Sequence, residues 1–262
     1  MINLYAYFNY TIKIAVNWKP LSPKASMNTS IPMNTRVDSK TLSGFQSIGY
    51  KVANLGHLYP TFSEKRVMMM PFHAHNVQGS LPASLNGYKP LLQAMIDLAP
   101  KHVAFPEDAT AYLTIDEMHL EPGVIQRKPS LHVDGMYQGE LSGAWGGGGG
   151  GWGSVGNGML LSSNTSDLCK MWTGQFKGLP INDGECDHLR SELDSKEMYS
   201  FQAGDVIWAD GLLVHESYAA QHASDRQFVR VSLPNNSPWF VGYTENPLGI
   251  KPCGRVIDER RV

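Results

Sequence analysis

The chain has 262 residues, of which 42% are hydrophobic and 10% aromatic, a composition typical of a globular protein rather than a disordered one. Lysine and arginine total 22 against 24 aspartate and glutamate residues, so the net charge of −2 does not indicate a nucleic-acid partner. Three cysteines at unrelated spacings exclude a disulfide framework and favour a reducing compartment. There is no apolar run of about 18 residues to predict a membrane span and no basic N-terminal region to predict a signal peptide, so we expect a cytoplasmic protein.

The first part of the chain, residues 1–110, is predicted to contribute strands and a helix that flank the core. Residues 1–16 alternate loosely, as an edge strand or a hairpin would, and residues 17–40 are rich enough in Pro, Ser, Thr and Asn to predict an extended loop. Residues 66–72 are typical of a buried strand. Residues 90–99 have helical apolar spacing between two prolines and predict a helix packed outside the sheet.

From residue 111 the chain is predicted to consist mainly of strands. Residues 111–120 alternate apolar and polar side chains, and Glu121-Pro122-Gly123 predicts a turn. Further strands are predicted at 124–134, 157–163, 168–176, 198–201, 206–208 and 228–233, with a loop or short helix at 179–196. About eight short strands with turns between them predict a jelly-roll barrel at 111–233, with 234–262 as an extension. We therefore predict one domain, 1–262, that is mainly β with a few flanking helices (α+β).

Two histidines and one aspartate lie at predicted strand ends. His132 and Asp134 are two residues apart, so a β-strand would point both side chains to one face. His215 would add a second imidazole from a distant strand. Two nitrogens and one oxygen on one face of a metal, with the opposite positions open, are the ligand set of non-haem Fe(II) oxygenases.

Two arginines follow on the strand predicted after His215. Arg226 and Arg230 are four residues apart, so they share one face of that strand. Either guanidinium has the planar fork that pairs with a carboxylate through two hydrogen bonds. The strand is therefore expected to present a carboxylate-binding group on that face.

The order His-x-Asp, a distant His and an Arg about one strand later resembles the Fe(II)/2-oxoglutarate-dependent dioxygenase superfamily over residues 111–233. This resemblance implies a double-stranded β-helix, with Fe(II) held by His132, Asp134 and His215 and with 2-oxoglutarate and O2 in the remaining positions. It also implies that Arg226, eleven residues after His215, binds the distal carboxylate of 2-oxoglutarate. The implied activity is hydroxylation of a small-molecule substrate, with decarboxylation of 2-oxoglutarate to succinate.

Arg230 has more than one interpretation. Some enzymes that this chain resembles use a second arginine at this spacing to hold an acidic substrate, which gives the hypothesis of an anionic substrate. Alternatively, Arg230 binds 2-oxoglutarate and Arg226 is a solvated strand end, or Arg230 forms a structural salt bridge. Related halogenases lack the carboxylate ligand, so the presence of Asp134 favours hydroxylation, desaturation or demethylation.

Six consecutive glycines, residues 146–151, lie between Trp145 and Trp152. Glycine loses the most conformational entropy on ordering, so one interpretation is a disordered surface loop. The other is a mobile lid whose tryptophans exclude water from the site. Two further function classes stay open: a cupin-like metalloenzyme that does not use 2-oxoglutarate, and a non-enzymatic jelly-roll binding or assembly module in which the histidines are incidental.

Overall fold

The computed structural model of the protein describes residues 44–100, 110–134, 158–181, 184–232, 239–253 and 256–257. All of them belong to one structural unit, Lys40–Val262. They form two antiparallel β-sheets with a few short helices, which confirms the predicted mainly β class. The predictions for residues 1–16 and 17–40, and for the glycine run 146–151 with its two tryptophans, lie outside the described residues.

The larger sheet has a central strand that carries both arginines. Its six strands are β2 (Gly49–Asn54), β3 (Arg66–His73), β4 (Thr110–Leu120), β5 (Met159–Ser163), β8 (Asp205–Ala209) and β10 (Ser224–Ser232). Their order across the sheet is β2-β8-β5-β10-β4-β3, so β10 pairs with β4 on one side and β5 on the other. Because side chains alternate along a strand, Arg226, Phe228 and Arg230 point to one face of the sheet, and Val229 and Val231 point to the other.

The smaller sheet is organised around one strand. Its members are β1 (Phe45–Ser47), β6 (Cys169–Phe176), β7 (Glu197–Ser200) and β9 (Val214–Ser217), and β6 pairs with each of the other three. His132 joins this sheet through an isolated antiparallel bridge to His215 of β9. A short parallel pair, β11 (Trp239–Phe240) and β12 (Val256–Ile257), follows near the end of the chain.

Helical segments pack against the face of the larger sheet that carries Val229 and Val231. They are α1 (Val77–Ser80), α2 (Lys89–Asp97) and three 3-10 helices at Gly56–Leu58, Ala74–Asn76 and Ala83–Tyr88. A further 3-10 helix, Asp187–Ser195, lies near the smaller sheet instead. Pro90 lies in the first turn of α2, where a missing N–H has no helical partner to lose. The apolar face of α2, which includes Leu91 and Leu92, is buried in the same core cluster as Val229 and Val231. None of the helices that the structure describes is long and apolar enough to cross a membrane.

Most of the predicted elements are confirmed within about four residues at each end, the usual uncertainty of such boundaries. The exception is the strand predicted at 124–134, which is wrong. In that range the structure has only the isolated bridge at His132, and the preceding residues form an irregular segment. Pro129 has no N–H to donate to a ladder, which accounts for the interruption.

The C-terminal extension packs on β3 and β4. Trp239, Phe240 and Tyr243 form a buried cluster with Met69 and Tyr112. The indole Nε1 of Trp239 donates to the carbonyl oxygen of Met69 at 2.9 Å, so the extension is hydrogen-bonded to the larger sheet as well as packed on it.

Candidate metal centre

His132, Asp134 and His215 come together at one point, as predicted from the sequence. Each offers one ligand atom, and these atoms lie within 4.8 Å of one another. The backbone N–H of His132 donates to the carbonyl oxygen of His215, and the N–H of His215 donates to that of His132, both at 2.9 Å. Residues that exchange both hydrogen bonds across an antiparallel pair project their side chains to the same side. The three side chains thus form a group that could hold a metal ion.

The position of His132 is set by its two neighbours. Leu131 and Val133 are buried in an apolar cluster, with 0% and 1% of their surface exposed. In extended chain the residue between them points the opposite way, out of the cluster, and Asp134 follows it. The N–H of Leu131 also donates to the carboxylate of Asp187 at 3.1 Å, which anchors this stretch to the 3-10 helix at Asp187–Ser195.

Gly184 allows the chain to pass unusually close to this stretch. The N–H of Val133 donates to the carbonyl oxygen of Gly184 at 2.9 Å. Gly184 has a φ of +90°, and a Cβ at this position would lie 2.2 Å from the carbonyl oxygen of Val133. Only glycine fits both conditions, so this residue is required for the backbone that carries the first two ligands.

Both imidazoles are held in the tautomer that suits metal binding. The Nδ1 of His132 lies 2.6 Å from the carbonyl oxygen of Ser130, and the Nδ1 of His215 lies 2.9 Å from that of Leu213. A carbonyl oxygen only accepts, so each Nδ1 must carry the proton, and the lone pair is left on Nε2. The Nε2 of His132 lies 3.9 Å from a carboxylate oxygen of Asp134. Hydrogen bonding of the distal ring nitrogen to a carbonyl is the usual outer-shell support of a metal-binding histidine.

Burial and neighbouring charge keep His132 and Asp134 in their metal-binding protonation states. Burial, assisted by nearby His215, lowers the pKa of His132 to about 3, so its imidazole is neutral at physiological pH. Burial opposes ionisation of Asp134, but His215 and Arg230 outweigh it and lower the pKa of that carboxyl. A neutral imidazole and an ionised carboxylate can bind a cation without first releasing a proton.

Arg230 supports Asp134. Its Nη1 lies 3.4 Å from the carboxylate of Asp134, and its Nη2 lies 3.5 Å from the hydroxyl of Thr114 and 3.4 Å from the sulfur of Met69. Only 4% of the Arg230 surface is exposed. Met69 adopts a φ of +50° at a register shift between β3 and β4, a strained conformation that brings its sulfur onto the guanidinium. Arg230 therefore holds one of the candidate metal ligands in place.

Among the described residues, Arg226 has no carboxylate partner of this kind. It is 2% exposed, its Nε donates to the hydroxyl of Ser163 at 3.3 Å, and no ion pair among the described residues includes it. Burial lowers its pKa to about 10, which still leaves the guanidinium charged at neutral pH. A buried charge without a counter-ion is costly, and proteins keep one mainly where a ligand supplies the opposite charge.

A cavity of about 300 Å³ joins the two arginines to the candidate metal ligands. Sequence reasoning identified His132, Asp134, His215, Arg226 and Arg230, all of which line it. Among the other lining residues, it missed the polar and charged Arg127, Lys128 and Ser163. Arg127 and Lys128 could have been found as an adjacent basic pair a few residues before His132. Nothing in the sequence points to Ser163, because only strand pairing brings it to Arg226.

A metal ion held by these three residues would have its remaining coordination positions toward the cavity that they line. Three protein ligands on one side of an ion are typical of catalytic rather than structural metal sites.

No protein-family model, no curated protein and no solved structure matches this chain in comparisons with known proteins.

Proposed function

We propose that the protein is an Fe(II)- and 2-oxoglutarate-dependent oxygenase that hydroxylates a small-molecule substrate. One observation carries the proposal: a single cavity connects a two-histidine, one-aspartate group with a buried guanidinium, Arg226, that has no carboxylate partner in the part of the chain that the structure describes. This cavity suits a small molecule that chelates a metal at one end and carries a negative charge at the other, where it would pair with Arg226.

The donor set favours Fe(II). Two imidazoles and one carboxylate on one side of an ion, with the remaining positions open, are the facial arrangement of non-haem Fe(II) oxygenases. The hydrogen bonds from both Nδ1 atoms to carbonyl oxygens fit this assignment, because they orient each Nε2 toward the same point. The ion would supply O2 activation coupled to loss of CO2 from 2-oxoglutarate; the protein supplies binding, orientation and exclusion of water.

The position of Arg226 favours 2-oxoglutarate. Four residues separate it from Arg230, about 13 Å along an extended strand. Arg230 lies beside Asp134, so Arg226 is remote from the ligands but within the same cavity. A five-carbon keto diacid bound with one end at the metal site would extend its second carboxylate toward Arg226. Ser163, bonded to the Nε of Arg226, keeps the guanidinium oriented for that pairing.

The order of strands also supports the proposal. Going along the chain, β4, β5, β8 and β10 belong to the larger sheet, whereas His132, β6, β7 and β9 belong to the smaller one. The chain thus passes repeatedly from one sheet to the other, as it does in a double-stranded β-helix, a jelly-roll arrangement of two facing sheets. In such an arrangement the cavity lies between the sheets.

The proposed reaction incorporates one oxygen atom of O2 into the substrate C–H bond and the other into succinate, with release of CO2. Asp134 occupies the third ligand position, so the site provides hydroxylation rather than halide transfer. A cupin-like metalloenzyme that does not use 2-oxoglutarate would have no use for a buried cation at the position of Arg226. In a non-enzymatic jelly-roll module with incidental histidines, the Nε2 atoms of the two histidines would have no reason to converge.

The proposal is tested by measuring 2-oxoglutarate-dependent CO2 release from Fe(II)-loaded protein and from three variants. His132→Ala is expected to lose metal and turnover together. Arg226→Gln is expected to retain metal but raise the KM for 2-oxoglutarate at least about 30-fold, since loss of one partner of a buried charged pair costs 2 kcal/mol or more. Arg226→Lys should recover part of that loss, and Lys89→Gln, a half-buried position at the start of α2 outside the cavity lining, serves as the control. Turnover that is insensitive to Arg226→Gln would refute the assignment of 2-oxoglutarate to this cavity.

A further inference from the structure

The cavity contains more positive charge than 2-oxoglutarate would neutralise. Its described lining includes four cations, Arg127, Lys128, Arg226 and Arg230, and one carboxylate, Asp134. Two further carboxylates outside the lining pair with the first two cations: Asp116 with Arg127, and Glu185 with Lys128. With a divalent ion bound, three positive charges are left in this region. A 2-oxoglutarate dianion would offset two of them, which leaves one for a second ligand.

Three of the four cations already have a committed partner or ligand. Arg230 is bonded to Asp134, Lys128 forms a close ion pair with Glu185, and Arg226 is the proposed anchor of 2-oxoglutarate. The anionic-substrate hypothesis made from the sequence placed the substrate on Arg230. The contacts of Arg230 with a metal ligand, together with its burial, argue against that position.

Most of the N–H donors of Arg127 have no acceptor among the described residues. Its Nη1 lies 3.3 Å from one oxygen of Asp116, and no other hydrogen bond or ion pair of Arg127 occurs among the described residues. The same carboxylate already has a shorter contact, 2.8 Å, with Arg66. A guanidinium carries five N–H donors, so most of those on Arg127 are left for another acceptor.

Arg127 is also presented to the cavity. Its guanidinium carbon lies 5.1 Å from the ring centroid of Phe228, the residue between Arg226 and Arg230 on the inner face of β10. Stacking on a ring leaves the in-plane N–H groups free to reach sideways. The Arg127 side chain is 25% exposed, against 5% for Arg230, so a ligand that enters from solvent meets Arg127 first.

We propose that the primary substrate is a small organic anion whose acidic group, a carboxylate, sulfonate or phosphate, is bound by Arg127 at the rim of the cavity. This inference rests on the proposed function, which places 2-oxoglutarate on Arg226. The substrate's acidic end lies at the rim, and its reacting C–H bond points toward the open metal positions.

The test uses trifluoromethanesulfonate as the probe and trifluoroethanol as its neutral counterpart. Protein is loaded with Mn(II) and saturated with 2-oxoglutarate, and the paramagnetic relaxation of the probe's fluorine nuclei is titrated. The wild type and Lys89→Gln are expected to relax the anion but not the alcohol. Arg127→Gln should weaken the apparent affinity for the anion on the order of tenfold, and Arg127→Lys should recover part of it.

Two results would overturn the inference: equal relaxation of both probes, or an anion affinity that Arg127→Gln leaves unchanged. Circular dichroism and unfolding curves of Arg127→Gln and Arg127→Lys are recorded first, so that a folding defect in one variant leaves the other to decide. Calorimetry of 2-oxoglutarate binding, run in parallel, separates the two proposals. Absence of 2-oxoglutarate binding refutes the proposed function, whereas 2-oxoglutarate binding with relaxation independent of Arg127 refutes this inference alone.

Discussion

Replacement of Arg226 by methionine is expected to make the ligand-free protein more stable, although it removes the proposed co-substrate anchor. Burial lowers the pKa of Arg226 from 12.5 to about 10, so the folded state disfavours its charge. At 1.36 kcal/mol per pKa unit, this disfavours folding by about 3 kcal/mol at neutral pH. Loss of the hydrogen bond to Ser163 offsets about 1 kcal/mol of the gain. Arg226→Met, of similar shape and without charge, should therefore raise the free energy of unfolding by about 2 kcal/mol.

Arg230→Met provides the matched control, because the two arginines lie on the same face of the same strand. Arg230 is bonded to Asp134, whose side chain is only 15% exposed. Its removal leaves a buried carboxylate without its cation, a loss that typically costs about 3–5 kcal/mol. The same substitution is thus expected to have opposite signs at the two positions.

The assay is urea unfolding of metal-free protein followed by circular dichroism. A substitution that changes stability but not the compactness of the folded or unfolded state moves the urea concentration at the midpoint of unfolding. It leaves the dependence of the unfolding free energy on urea concentration unchanged. In a second series with Mn(II) and 2-oxoglutarate at about 100 times the wild-type dissociation constant, the wild type should gain about 2.7 kcal/mol from 2-oxoglutarate. Arg226→Met should gain at most about 0.9 kcal/mol, because an affinity at least about 30-fold weaker leaves 2-oxoglutarate at no more than about three times its dissociation constant. Destabilisation of the ligand-free protein by Arg226→Met to the extent seen with Arg230→Met would refute the reasoning, since Arg226 would then have a compensating partner.

Three further outcomes are expected. As the pH falls from 6.5 to 5, the free energy of unfolding of the metal-free protein should decrease by about 2 kcal/mol. His132, with a folded pKa of about 3, stays neutral in the folded protein over this range, whereas the same histidine gains a proton in the unfolded chain. Urea unfolding midpoints measured across this pH range test the prediction. His132→Gln should flatten that slope, and below pH 4 the lowered pKa of Asp134 adds a loss of the same sign. Gly184→Ala should destabilise by about 1–3 kcal/mol and weaken metal binding by calorimetry, and unchanged values would contradict the tight approach to Val133. Asp134→Ala should abolish hydroxylation with metal affinity reduced, whereas wild-type turnover in this variant would exclude Asp134 as a ligand.

Alternating and helical patterns were sufficient to predict most of the elements. The strands around β4, β5, β6 and β10 bury apolar side chains on at least one face, and α2 buries one stripe, so local periodicity reports them directly. The sequence predicts a strand at residues 124–134, which the structure does not have. The backbone of this segment instead pairs irregularly with residues 217–220, and Pro129 interrupts any ladder.

The candidate metal ligands were predictable because their spacing carries the geometry. His132 and Asp134 lie two residues apart, and that spacing alone places them on one side of an extended chain. The roles of the arginines were not predictable to the same degree. Arg226 and Arg230 have the same spacing signal, and only their neighbours distinguish them: Asp134 approaches one and Ser163 the other. Arg127 could not be placed either, because an irregular segment carries it to Phe228.

The central claim is tested most directly by anaerobic titration of the protein with Fe(II) in the presence and absence of 2-oxoglutarate, followed by visible absorption. The account predicts a weak charge-transfer band that appears only with both present, is lost in His132→Ala and His215→Ala, and requires much higher 2-oxoglutarate in Arg226→Gln. Iron binding without the band would contradict the use of 2-oxoglutarate, and absence of iron binding would contradict the metal centre itself.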